Sequence, residues 1–290
     1  MRHPSFASLL AQGAALIGKG PVALILAEDG VEVASTLDHH LKAGFGTVIC
    51  LCPDAIDIPA PMEARLHRVT HDVHAANAMA TAVTALNSAA APGTWIYYCF
   101  NSEYLFFPFS ETRSVGEMLT FHTEERRDAM IAFVVDLYAA DLDRNPDAVA
   151  RDQACIDRSG YFALARKDAA KDWAPKDRQL DFFGGLRWRF EEHIPTPRRK
   201  IDRVALFRSK PGLVLSPEFT FSDQEYNTYA CPWHHNLTAA ICSFRTAKAL
   251  RANPGSRYDI RSFHWYNSVP FEWHSQQLMD LGLMEPGQWF

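Results

Sequence analysis

The chain has 290 residues, 48% of them hydrophobic and 22% charged, with a formal charge of −5 and a pI near 6.2. That length supports one large domain with a sizeable core. The acidic balance excludes a basic field able to hold a nucleic-acid backbone, and no run of about 20 apolar residues offers a transmembrane helix.

Residues 22–27 (VALILA) form a continuous apolar run of strand length, the pattern of a strand covered on both faces. Glu28-Asp29-Gly30 ends it, and Val31, Ala34, Leu37 and Leu41 then fall at helical spacing before a stop at Gly44. His40 lies beside that apolar stripe and His39 points away from it. Residues 46–52 (GTVICLC) read as a second buried strand. A proline-rich loop reaches position 61, 65–69 reads as a short edge strand, and the alanine-rich 71–90 as a helix broken by Pro92-Gly93. Residues 95–100 (WIYYCF) make a third buried strand. Strand, helix, strand, helix, strand over the first hundred residues predicts a mostly parallel sheet with right-handed crossovers.

Ser114 to Glu117 (SVGE) fits a capping box that starts a helix, and 129–138 (AMIAFVVDLY) returns as a strand. The charged stretch 141–176 reads as an insertion with short helices. Residues 204–207 are strand-like, a Pro211-Gly212 hairpin follows, 237–250 carries a helical face, and 271–283 predicts a last helix. Six cysteines, at 50, 52, 99, 155, 231 and 242, lack Cys-x-x-Cys spacing. They read as reduced core residues of a cytoplasmic protein.

The chemistry-bearing candidates sit at strand ends and in aromatic runs. Asn101-Ser102-Glu103 breaks the most aromatic stretch of the chain at a strand's carboxyl end, where open α/β sheets bind ligands. A turn between two core strands explains the same residues. Glu28-Asp29 ends the first strand, where carboxylates can accept hydrogen bonds from a base or ribose. Asp136 is the one acid in its apolar run, and His234-His235 precede the 237–250 segment. No Gly-x-Gly-x-x-Gly, P-loop or Gly-x-Ser-x-Gly motif occurs, which argues against dinucleotide, P-loop and serine-hydrolase chemistry.

Residues 21–52, with TLDHHLKAGF on the first helix, resemble the opening of family-2-like glycosyltransferases, which carry an eW-x-x-HH-x-x-x-G-hydrophobic segment there. WIYYCFNSEYLFFP is similar to their W-h-x-x-h-D-A-D-E-F-L-x-x-P, and GGLRWRF, 195–200 and WHH resemble later landmarks in order. The resemblance implies a GT-A fold, α/β with a mixed, mainly parallel sheet flanked by helices and with C-terminal elaborations. It makes 1–290 a single domain: a 1–20 extension, a 21–140 nucleotide-binding core, and acceptor-side and C-terminal elements over 141–290.

It also implies a nucleotide-sugar donor, a glycan or other small acceptor, and a divalent cation (Mn or Mg) that offsets the charge on the leaving nucleoside diphosphate. The family's two metal aspartates fall on Phe100 and Ser102, and only the following acid, Glu103, is kept. Three arrangements remain open. Glu103 with His235 holds the cation, Arg189 and Lys200 neutralise the diphosphate, or catalysis is lost and a binding or scaffold protein remains. In the resemblance Glu28, Asp29 and Ser102 face the nucleotide. Asp136 is the nominee for the base that takes the acceptor hydroxyl's proton.

Overall fold

The apolar runs of the sequence become the strands of a mixed α/β fold, a large and mainly parallel sheet flanked by helices. The structure, a computed structural model, describes residues 1–12, 17, 20–229 and 236–289. The chain divides into two units: Met1–Tyr104, Thr112–Ile131 and Val204–Asn227 in one, Leu105–Glu111, Ala132–Arg203 and Thr228–Phe290 in the other.

The first unit opens with β1 (Arg2–His3) and α1 (Phe6–Leu10), then β2 (Val22–Leu26), α2 (Val33–Lys42) and β3 (Thr47–Cys52). It continues with α3 (Ala60–Glu63), β4 (His67–Thr70), α4 (Ala78–Ala89) and β5 (Trp95–Phe100). Strands run in the order β1-β4-β3-β2-β5 and all are parallel. Ile25 faces Cys50 on one side and Cys99 on the other. Every residue of β2 and β3 is buried, which is why both read as unbroken apolar runs.

The predicted 65–69 edge strand is instead flanked by β1 as well as β3. A two-residue strand leaves no period in the sequence, so it escapes pattern reading. The helix predicted over 71–90 begins only at Ala78, after Asn77 takes a left-handed turn at φ 59°. Asn87 explains its placement, since its amide donates to the carbonyls of Lys210 and Leu213, both at 3.0 Å.

Residues 103–106 form β6 (Glu103–Phe106), and α5 (Val115–Glu124) starts with the capping box read from the sequence. Ser114 accepts from the Glu117 amide, and the Glu117 carboxylate accepts from Ser114 N at 2.8 Å. Next come β7 (Ala129–Asp136) and β8 (Tyr138–Ala139).

The stretch predicted as short helices holds no α-helix; its regular elements are strands, β9 (Ala154–Asp157), β10 (Phe162–Asp168) and the start of β11 (Ala174–Phe183), with short 3-10 turns beside them. Arg166 decides this, because its guanidinium reaches Asp181 and Asp202, both at 2.6 Å, and pins β10 to distant partners. Next come α6 (Gly185–Arg189) and β12 (Asp202–Arg208), whose Leu206 to Arg208 lie in the first unit and pair antiparallel with β5 there.

Residues 237–250 are not one helix. They split into β13 (Ala239–Ser243) and α7 (Arg245–Ala252). The run LTAAICSF satisfies both periods, and parallel pairing of Ala239 to Ser243 with Ala132 to Asp136 selects the strand. The elements end with β14 (Ser268–Pro270) and α8 (Ser275–Asp280), the latter shorter at both ends than the predicted 271–283. Residues 210–213 make a turn closed by Leu213 N to Lys210 O at 3.1 Å, and Leu215 bridges Phe221 beyond it.

Ile25 is completely buried in the centre of the parallel run. Ile25→Ala is expected to cost about 2–5 kcal/mol, read as a lower urea midpoint, while the same change at an exposed surface position leaves the midpoint within about 0.5 kcal/mol.

Candidate functional site

Strand order reverses at β2, which has β3 on one side and β5 on the other. Leu26 pairs with Phe100, so the segments leaving these two strands emerge side by side. In open α/β sheets such a switch point creates the crevice that receives ligands. Glu28, Asp29, Ser102 and Glu103 all come together here.

The geometry shows what the three polar residues after β5 do. Asn101, Ser102 and Glu103 are all buried. Asn101 Oδ1 accepts from Glu28 N at 2.9 Å, and its Nδ2 donates to Asp29 Oδ1 at 2.7 Å and to Val31 O at 2.9 Å. Only this amide orientation matches a backbone donor with an oxygen and two acceptors with a nitrogen. Ser102 sits at φ 60°, a left-handed conformation that costs a non-glycine residue about 1 kcal/mol or more. Two hydrogen bonds fix it there: its amide donates to Thr36 Oγ1 at 2.8 Å and its hydroxyl to Val31 O at 2.9 Å. The Glu103 carboxylate turns back to accept from Phe100 N at 2.9 Å. Asp29 remains exposed and Glu28 half-buried.

The start of α2 is tied to the same place. Glu32 adopts φ 54°, its carbonyl accepts from Thr36 Oγ1 at 2.6 Å, and its carboxylate bonds the Ser35 hydroxyl. Tyr104 OH meets Ser35 Oγ at 2.8 Å and donates to Glu32 Oε2 at 3.3 Å. His39, read as pointing to solvent, is half-buried with its ring edge-on to Tyr104 at 5.5 Å. His40 is fully buried: Nδ1–H donates to Thr36 O at 2.7 Å, and Nε2 lies 3.3 Å from Tyr97 OH. Burial pushes its pKa down to about 3, so the ring is neutral and holds α2 against the sheet.

The residues at the position where the resembling enzymes hold their cation do not fit a hard divalent ion. Phe100 has no donor atom and packs edge-to-face on Phe219 at 6.4 Å. The Ser102 hydroxyl is given to a carbonyl, and the Glu103 carboxylate is buried and bonded to backbone. Among the described residues no group of three or more His, Cys, Asp or Glu side chains could hold a metal ion. His235 lies outside the described residues.

The other candidates belong to the second unit and fall in distinct clusters there. Asp136 is buried, with Arg187 Nε 3.5 Å from Oδ1 and the Arg187 amide donating to Oδ2 at 3.3 Å. Burial pushes its carboxyl pKa up, against the pull of the Arg187 guanidinium. Gly185, at φ 62°, lies so close that a Cβ there would stand 3.0 Å from Asp136 Oδ2. Arg189 donates to both oxygens of Asp157, at 3.0 and 3.2 Å, and to Phe263 O at 2.6 Å, and lies 4.3 Å over the Trp265 ring. Lys200 Nζ stands 3.4 Å from Asp181.

Asp157 was not among the sequence candidates, though it carries the same signal as Asp136, an acid ending an apolar strand run. It is buried and also accepts from Tyr138 OH at 2.5 Å and Trp265 Nε1 at 2.7 Å. No protein-family model matches this sequence, and no curated protein matches it.

Asn101→Ala removes the donors and acceptor that organise residues 28–31. It is expected to destabilise the protein by about 1–3 kcal/mol in urea unfolding and to raise amide exchange of residues 28–32 selectively.

Proposed function

We propose that this chain is a GT-A-like glycosyltransferase that moves a sugar from a nucleotide-sugar to a glycan or other small acceptor without a cation at the Asn101–Glu103 position. The observation that carries the reading is the switch point itself. The carboxyl ends of β2 and β5 lie adjacent where the strand order reverses, and the exposed Asp29 stands beside them with Glu28. Carboxylates in that position suit the hydroxyls of a nucleoside. The antiparallel β12 beside β5 agrees with the mixed sheet the family resemblance implies.

In this reading the diphosphate charge is met by protein groups, as preorganised cations and backbone donors can do. Arg189 and Lys200 remain the nominees, and each is held by an aspartate, Asp157 and Asp181 respectively. Asp136 remains the nominee for the base. Its carboxylate is buried, with the Arg187 amide donating to Oδ2 and Gly185 packed close beside it.

A second reading is a non-catalytic binding protein of the same architecture. It is favoured by the internal use of Asn101, Ser102 and Glu103, whose polar atoms serve the fold.

Calorimetric titration with nucleoside diphosphates, joined to a nucleotide-sugar turnover panel with manganese or with chelator, separates these readings. Binding with chelator-insensitive turnover is the expected result, and Asp29→Ala is expected to weaken binding about tenfold or more. Binding without turnover selects the second reading. No binding to any member of the panel eliminates both.

A further inference from the structure

Among the described residues, the N-terminal segment joins the sheet through a short ladder. β1 contributes two residues, with Arg2 facing Arg68 and His3 facing Val69 on β4. Beyond it, α1 has five residues and buries Phe6 and Leu9. A ladder this short has little stability of its own. Two of the side chains at the attachment are histidines. His3 and His67 are both buried, and His3 Nε2 lies 3.0 Å from His67 Nδ1. Gln12 Nε2 lies 3.4 Å from His3 Nδ1. An amide nitrogen only donates, so His3 Nδ1 is the acceptor and its Nε2–H donates to His67 Nδ1. The bond therefore requires a neutral His67.

The surroundings oppose added positive charge. Close by, Met1 N donates to the carbonyls of Glu63, at 3.1 Å, and Leu66, at 2.7 Å. Arg2 pairs with Glu63, and Arg68 Nη1 stands 3.7 Å from the same carboxylate. That one acid already serves two guanidinium groups. Thr70 holds Asp54, beyond β3, at 2.6 Å. On the other side of α1, His71 packs edge-on to Phe6 at 6.0 Å, with Asp72 next to it in sequence. The helix α4, against which α1 packs, carries no charged residue.

We propose that the His3–His67 hydrogen bond is an acid-released latch that holds β1 and α1 on the edge of the first unit's sheet. Protonation of His67 removes the acceptor, and protonation of His3 as well sets two cations at a ring separation of 5.3 Å. The local chemistry agrees: burial first holds both histidines below the ordinary value, followed for His3 by the neighbouring ammonium and for His67 by His3 and then that ammonium. For a base so depressed, the stabilisation is complete above the unfolded histidine value of about 6.5 and is lost as pH falls below it. Burial holds His71 down as well, and its protonation acts in the same direction. Release leaves β4 as the sheet's edge, with the row of unpaired backbone groups that an edge presents.

Hydrogen exchange of the full chain at pH 7.5 and pH 5.0, corrected for intrinsic rates, tests the latch. Residues 2–10 are expected to lose protection at least tenfold at pH 5.0, while 22–26 and 95–100 change less than twofold. The core histidines His40 and His122 titrate lower, at about 3 and about 4, so the core peptides serve as the reference. The double variant His3→Gln, His67→Asn places a non-titrating donor opposite a non-titrating acceptor and is expected to abolish the acid effect. Equal loss across the unit, no loss at residues 2–10, or an unchanged acid effect in the double variant overturns the proposal. Histidine NMR titration supplies a reading that depends on no variant. Values for His3 and His67 at or above 6.5 overturn it equally.

Discussion

One asparagine side chain fixes the end of the central strand pair. Asn101 follows β5, yet its amide bonds the backbone and side chain of the residues that follow β2. Those residues lead directly into α2, whose Thr36 returns a bond to the Ser102 amide. The loop after the first long strand, the turn after β5 and the first turn of α2 thus share one hydrogen-bond network. Breaking it leaves buried polar groups unpaired, which costs more than the bonds' net contribution to stability. This network stands where the resemblance puts metal chemistry, and its polar atoms face inward.

The second unit treats its buried and half-buried acids similarly, but with ion pairs. Asp136, Asp157, Asp181 and Asp202 each lie within 3.5 Å of an arginine nitrogen. Removing one partner from such a pair is strongly destabilising, whereas the pair as a whole adds little. Arg166 links β10, β11 and β12 through two aspartates, and Arg189 gathers the chain around Asp157, Trp265 and Phe263. These arginines are therefore structural groups whatever further role they have. That is the main constraint on assigning Arg189 to a diphosphate.

Much of the first unit was legible because its strands are buried on both faces and its helices alternate with them. VALILA, TVICLC and WIYYCF have no competing reading at that length. The Ser114 capping box was legible for a local reason, since both of its bonds lie within four residues. The second unit was harder. LTAAICSF fits a helical face and a buried strand alike, and only the partner strand β7 decides. The charged β10–β11 hairpin is mostly exposed, so no apolar alternation marks it, and Arg166 finds its partners 15 and 36 residues away. At the candidate site the sequence located the polar break but not its direction. Whether an asparagine faces a ligand or its own chain depends on Glu28 and Val31, 73 and 70 positions earlier.

The left-handed Ser102 has a consequence for anyone who tries to engineer a cation site into this scaffold. Grafting the two missing carboxylates, Phe100→Asp and Ser102→Asp, does not recreate an open ligand sphere. The first substitution sets a charge between Phe219 and the buried Glu103, and the second takes away the hydroxyl that Val31 receives. A working graft has to redesign residues 28–32 as well, because the backbone on which the new ligands would stand is positioned by that loop.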